Sequence, residues 1–250
     1  MNTEIYLNRI NFVGEIKPNL KFLAELQKSH LFNVPFENLD IHNKIPILLD
    51  IDRIYEKIVL NNRGGFCYEL NGLFYELLIA LNFDAKRISA RVFKNELGYS
   101  PEFDHMAIIV KIENSEYLVD VGFGDFIFEP LKLELGRIQH DPSGNYQIDK
   151  FDEQYYRVSK FTNNQMLPEY IFTKIERELV EFSGMCKYHQ TDPNSHFMQK
   201  RLISVPTENG RVTITGNRLK INNNNSVTEK ELKDEIEFKN ELLNLYKLNE

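Results

Sequence analysis

The apolar pattern of this 250-residue chain changes period along its length, and that change constrains the fold more than any single motif. In the first third the apolar residues recur at three- and four-residue steps, the spacing of one buried helix face. Leu20, Leu23, Ala24 and Leu26 follow Pro18 and mark a helix ending near His30. Asp50 is placed to cap a second helix, with a stripe through Ile51, Ile54, Tyr55, Ile58 and Val59. A third runs from Cys67 through Leu70, Leu73, Phe74, Leu77, Leu78 and Leu81. Residues 34–40, between the first two, are too irregular for a helix and rich in specific side chains. The middle third reads as strands: 107–112 and 116–121 on either side of Glu113-Asn114-Ser115, then 155–158 and 170–172, with a turn at Asp141-Pro142-Ser143-Gly144. Short strands separated by turn signals suggest a small antiparallel barrel or sandwich. The last third is mixed. It has a hairpin of 211–215 and 218–221 around Gly216-Asn217, a polar linker at 222–225, and a capping-box pattern at Thr228 and Glu231. A helix is expected after it, with a stripe through Leu232, Ile236, Leu243 and Tyr246.

Composition narrows the class. An apolar share of 42% is enough for a large core, and a net charge of −7 argues against a nucleic-acid-binding protein. Cys67 and Cys186 are the only cysteines, too few for a disulfide framework, so a reducing compartment is expected. Residues 1–12 carry Glu4 and Arg9 and contain no apolar run like a signal peptide. No apolar stretch approaches the roughly 18 residues of a membrane span. The expectation is a soluble cytoplasmic protein with neither nucleic acid nor membrane as partner.

Cys67 stands behind Arg63-Gly64-Gly65-Phe66, where the third helix begins. Unpaired N–H groups and positive partial charge at a helix start favour a thiolate and can hold an oxyanion. The two glycines supply freedom to turn into the helix. Against this stands the bland alternative, that a cysteine on an apolar stripe is a small core residue. A base would decide for the reactive reading. Among six histidines, His105 opens the strand that runs to Val110 and beyond, and Asp120 ends its neighbour. If the strands pair through a tight even-numbered loop, Asp120 falls opposite an odd-numbered residue such as Ala107 and shares a face with His105. An acid there is costly to bury without a partner. A bare turn-capping Asp120 is the simpler reading of the pair alone. With Cys67 added, a Cys–His–Asp relay becomes the better account, in which the imidazole takes the thiol proton and the carboxylate orients it.

The chain also resembles the arylamine N-acetyltransferases. The shared segments, in order, are Tyr6-Leu7-Asn8-Arg9-Ile10, Pro35-Phe36-Glu37-Asn38-Leu39, Arg63-Gly64-Gly65-Phe66-Cys67-Tyr68-Glu69, His105, Asp120-Val121-Gly122-Phe123-Gly124 and Asp192-Pro193-Asn194-Ser195-His196-Phe197. The resemblance implies an α+β fold with a cysteine-protease-like core, in three parts. These are an N-terminal helical bundle with the nucleophile (1–84), a central antiparallel β-barrel with the histidine and aspartate (85–190), and a C-terminal α/β lid (191–250). It implies a triad of Cys67, His105 and Asp120 and a ping-pong reaction. In it, Cys67 takes the acetyl group from acetyl-CoA, the co-substrate, and an arylamine or arylhydrazine removes it, a chemistry of xenobiotic metabolism. Phe36, Phe123 and Gly124 match the substrate-binding positions, and Pro101-Glu102-Phe103-Asp104 the segment that helps hold CoA, here in a more acidic version.

Other features are weighed more blandly. Arg63 reads as a brace paired with Glu37 or Glu69 rather than a phosphate ligand. Gly122-Phe123-Gly124 alone is a strand-ending turn. Cys186, His189, Asp192 and His196 suggest zinc by type, but Phe182, Cys186 and His189 fit one helical stripe, and no metal is expected. The competing functions are a cysteine hydrolase or amide-forming acyltransferase using the same triad, and a non-catalytic binding protein.

Overall fold

The computed structural model of the protein describes residues 1–223 and 226–243. The chain opens with helices α1 (Thr3–Arg9) and α2 (Leu20–Asn33), a two-residue strand β1 (Phe36–Glu37), and the single turn α3 (Leu39–His42). Helix α4 (Ile51–Tyr55) follows, running into a five-residue π-helical turn (Glu56–Leu60), and then α5 (Cys67–Ala80). Asn2, Asn19 and Asp50 cap α1, α2 and α4 with side-chain oxygens, so the cap read at Asp50 is present. Leu23, Leu26, Ile54, Ile58, Leu70 and Phe74 meet in one buried cluster, which is why these short helices hold together. The stretch 34–40, read as too irregular for a helix, supplies β1 and, at Leu39 and Asp40, the start of the short α3.

Eight strands form the next layer: β2 (Asp84–Val92), β3 (His105–Ile112), β4 (Ser115–Val119), β5 (Leu131–Lys132), β6 (Ile138–Asp141), β7 (Gly144–Lys150), β8 (Tyr156–Thr162) and β9 (Gln165–Glu176). Their order is β5-β4-β3-β2-β9-β8-β7-β6, all pairs antiparallel. A parallel bridge from Leu135 to Ile148 nearly closes the sheet into a barrel. The interior is filled by Ile88, Ala107, Ile109, Leu118, Tyr146, Tyr170 and Phe172. The β3–β4 loop is Glu113-Asn114, because Ser115 already pairs with Ile112. Asp141 and Gly144 close the β6–β7 hairpin where the turn was expected.

Helices α6 (Ser183–Thr191) and α7 (His196–Gln199) lead to β10 (Leu202–Thr207), β11 (Gly210–Thr215), β12 (Arg218–Asn223), β13 (Ser226–Glu231) and α8 (Glu235–Glu241). With β1 these strands make a second sheet, ordered β1-β10-β11-β12-β13. The molecule is thus α+β: helical bundle, antiparallel barrel and α/β lid. Two expectations for the tail are overturned. Thr228 and Glu231 lie in β13, paired with Ile221 and Arg218, so the capping-box pattern yields to strand pairing. The helix begins later, capped by Asp234, and buries Phe238 and Leu242 while Ile236 and Leu243 are exposed. Tyr246, the last residue of the expected stripe, lies outside the described residues. Of the expected linker, Asn222 and Asn223 extend β12, and 224–225 also lie outside the described residues.

Candidate active site

The turn before Cys67 is built by close approach. Gly65 bridges Phe36 in parallel, with Glu37 N–H donating to Gly65 C=O at 2.9 Å. A Cβ on Gly64 would lie 2.1 Å from the Pro35 carbonyl oxygen, and one on Gly65 would lie 2.9 Å from Glu69 Cβ. Neither glycine has a positive φ, so the glycines are needed for room, not for the backbone freedom expected of them. Under the turn lies a buried ionic group. Arg63 Nη2 bonds Glu37 Oε1 at 2.8 Å and Asp40 Oδ1 at 3.0 Å. The brace read for Arg63 therefore takes Glu37, while Glu69 belongs to Lys57 at 2.9 Å. Lys57 also reaches Asp40 at 2.7 Å. Burial alone would push the Lys57 ammonium down, but Glu37, Glu69 and Asp40 hold it above the ordinary lysine range. Glu69 returns an oxygen to the Phe66 N–H at 3.1 Å and fixes the start of α5.

The barrel supplies the imidazole. β3 and β4 pair Ile108 with Val119 and Ile112 with Ser115 across a two-residue loop, so the condition for a shared face is met. Asp120, one residue past β4, accepts from His105 Nε2 at 2.7 Å (Oδ2). Tyr170 Oη donates to the same oxygen at 3.1 Å. Oδ1 accepts from Gly122 N–H at 2.9 Å and Asn71 Nδ2 at 2.9 Å. The carboxylate therefore caps the Gly122–Gly124 turn and holds the histidine at once. Asn71 also takes the Val121 N–H at 2.9 Å and gives its amide to Met106 C=O at 2.6 Å. Sequence reasoning missed it. Its only signal is a polar residue one turn beyond Cys67 on an otherwise buried helix. Gly122 packs so tightly that its Cβ would lie 2.9 Å from Cys67 Cα.

Cys67, His105, Phe36, Phe123 and Gly124 line one cavity of about 400 Å³, walled on the lid side by Phe197, Ser204 and Arg211. All three relay candidates and the three matched pocket positions are thus brought together, and the cavity forms where bundle, barrel and lid meet. The thiol itself departs from expectation. Burial pushes Cys67 well above the ordinary thiol range, with Asp104, Cys186 and Asp120 adding to it. A bond from the Tyr68 N–H, at the helix start, works the other way but does not prevail. A free thiolate is therefore disfavoured at rest, and its proton needs a partner.

The segment before His105 turns its acids inward. Glu102 bonds Ser89 Oγ at 2.6 Å and the Tyr155 hydroxyl. Asp104 lies 3.3 Å from Lys94 Nζ. Of the zinc-like residues, Cys186 and His189 are buried on α6 as their stripe predicts. Cys186 Sγ accepts from Gln190 at 3.2 Å, His189 Nδ1 meets Ser195 Oγ at 3.0 Å, and Asp192 caps the Asn194 N–H at 2.8 Å. Among the described residues no three such side chains converge as a metal site.

Comparison with known proteins gives consistent matches. A family model described as N-acetyltransferase matches residues 19–249. The chain is 31% identical over 236 residues to a chicken (Gallus gallus) arylamine N-acetyltransferase, covering 86% of this chain and 81% of the relative. The structure of the Mycobacterium marinum arylamine N-acetyltransferase in complex with CoA superposes with a TM-score of 0.91 at 27% identity, covering 99% of this chain and 93% of that one. A Bacillus cereus arylamine N-acetyltransferase, described as having a Cys-His-Glu catalytic triad, superposes with a TM-score of 0.92 at 26% identity over the whole of both chains.

Proposed function

Because this chain belongs to the arylamine N-acetyltransferase family, and so is an acyltransferase, we propose that it moves an acetyl group from acetyl-CoA to an arylamine or arylhydrazine by a ping-pong reaction through Cys67. The observation that carries the reading is the Cys67 cavity, in which a buried thiol at a helix start shares a wall with a His105–Asp120 pair bonded at 2.7 Å. In this scheme His105 takes the thiol proton as sulfur attacks the thioester carbonyl, which matches a thiol too buried to ionise alone. The carbon–sulfur bond to CoA breaks, CoA leaves with the proton, and the acetyl group stays on Cys67. Asp120 orients the imidazole, and its three further donors keep it an acceptor. N–H groups at the start of α5 suit the oxyanion. Phe36 and Phe123 offer flat walls for an aromatic acceptor.

The division into 1–84, 85–190 and 191–250 follows this scheme, the first unit carrying the nucleophile, the second the histidine and aspartate, and the third closing the cavity. We place the enzyme in the cytoplasm, acting on small aromatic xenobiotics. Its two cysteines are free, and among the described residues no helix is long and apolar enough to cross a membrane. The test is intact-mass analysis after mixing with acetyl-CoA. Wild type is expected to gain one acetyl group that an arylamine then removes, and Cys67→Ser to gain none. A wild-type protein that stays unmodified, or that cleaves amides instead, sinks the reading and favours a hydrolase.

A further inference from the structure

Beside the Cys67 cavity lies a second carboxylate–imidazole pair, Asp104 and His189, that the scheme above does not use. Asp104, immediately before His105, borders the same cavity although its side chain is only 3% exposed. Its Oδ1 lies 3.3 Å from Lys94 Nζ and 3.3 Å from His189 Nε2, the latter an ion-pair distance without hydrogen-bond alignment. His189 is buried, with Nδ1 3.0 Å from the Ser195 hydroxyl oxygen and Nε2 on the side of Asp104. Ser195, His189 and Asp104 are the residues of a serine triad, but Ser195 is buried and does not border the cavity. Burial pushes the Asp104 carboxyl up, yet the nearby His189 and Ser100 and the charge of Lys94 bring it down to about 2, so it is an anion.

The ionisable groups that border the cavity with Cys67 are Lys94, Asp104, His105 and Asp125 on the barrel side and His196 and Arg211 on the lid side, and Asp120, Cys186 and Tyr68 also lie near the thiol. Asp120 is saturated by four donors. The nearby cations, Lys94 and Arg211, are engaged by Asp104 and by the Gly124 carbonyl. Asp104 therefore sets a carboxylate, paired with Lys94, on the wall of the cavity that holds the sulfur. We propose that Asp104, fixed by Lys94 and His189, is an electrostatic positioning residue acting with opposite sign in the two halves of the reaction: it holds back the free Cys67 thiolate and favours the nitrogen that attacks the acetyl thioester. This rests on the acetyl-transfer reading. In the second half the nitrogen lone pair forms a bond to the thioester carbon and the carbon–sulfur bond breaks. The nitrogen loses one proton, through His105, to the departing sulfur, so thiol and amide result. The nitrogen is transiently positive before that proton leaves, and a carboxylate on the wall of the same cavity stabilises it.

The experiment uses Asp104→Asn in the full chain, with thermal melting as a check of folding. Iodoacetamide alkylation of the free enzyme at pH 7 is expected to become about tenfold faster, its pH midpoint falling by about one unit. Decay of preformed acetyl-enzyme with an arylhydrazine, followed in a single turnover, is expected to become about tenfold slower. Asp104→Glu, which keeps the charge, is expected to restore both. A merely structural role would slow both together. Alkylation that does not accelerate, or decay that does not slow, overturns the proposal. Failure of wild type to form acetyl-enzyme counts against the acetyl-transfer reading instead, and the alkylation profile then decides on Asp104 alone.

Discussion

His30 shows what one residue costs when buried for packing. Its ring lies edge-on to Tyr6 and Phe74, fully buried, and neither ring nitrogen has a hydrogen-bond partner among the described residues. Burial and the Arg9 guanidinium bring its pKa down to about 3. The unfolded chain, with a histidine near 6.5, therefore takes up the proton first. The stability that goes with a neutral His30 is complete above about pH 6.5 and is lost as pH falls from there toward 3. Between pH 7 and 4.5 this amounts to about 2–3 kcal/mol for a group so buried. Denaturant titrations at those two pH values are expected to show that loss in wild type and to show it largely gone in His30→Phe. At the same scale, His105 and Asp120 were legible because strand parity and the cost of burying an acid point one way. The state of Cys67 was not, because helix position is local while desolvation depends on everything packed around the sulfur.

At the scale of elements, the π-helical turn after α4 explains a side chain that no periodic reading finds. The stripe through Ile54, Ile58 and Val59 leaves Lys57 off the buried face of a regular helix. The wider π turn sets that residue over the nucleophile turn, where it meets three carboxylates. Lys57→Met leaves Glu37 and Asp40 with Arg63 and strips Glu69 of its cation, and is expected to cost about 3–5 kcal/mol. Urea denaturation measures this, and adding Glu69→Gln to the variant is expected to recover part of it by removing one unpaired charge. The failed capping box at Thr228 is the converse case. Its pattern spans four residues, whereas β13 gains a full ladder to β12 from Asn223↔Ser226 to Arg218↔Glu231, and the non-local pairing wins.

For the whole molecule, the tie between the N-terminal helices and the lid runs through Asn38. Its amide donates to Phe197 C=O at 2.9 Å and Lys200 C=O at 3.0 Å, and its oxygen accepts from Leu202 N–H at 2.7 Å. One side chain thus holds both α7 and the start of β10. Asn38→Ala leaves buried backbone groups unpaired, and amide hydrogen exchange at residues 197–204 is expected to speed by tenfold or more while β3 and β4 keep their protection. The change of period made the helical first third and the stranded middle third readable, while the three-part layout came from the family resemblance. The docking of lid on bundle was not readable, since β1 is two residues long and its partner β10 lies about 165 positions later.

That separation orders events in time. Phe36, at one wall of the cavity, pairs with Ser204 at another, and Arg211 beyond it holds the Gly124 carbonyl. Bundle helices and barrel hairpins are made from neighbours in sequence and form early, whereas contacts of such span wait for long loops to close. The chamber around the thiol is therefore expected to be among the last parts of the protein to form, so that the sulfur of a newly made chain stands beside an unfinished wall until those loops close.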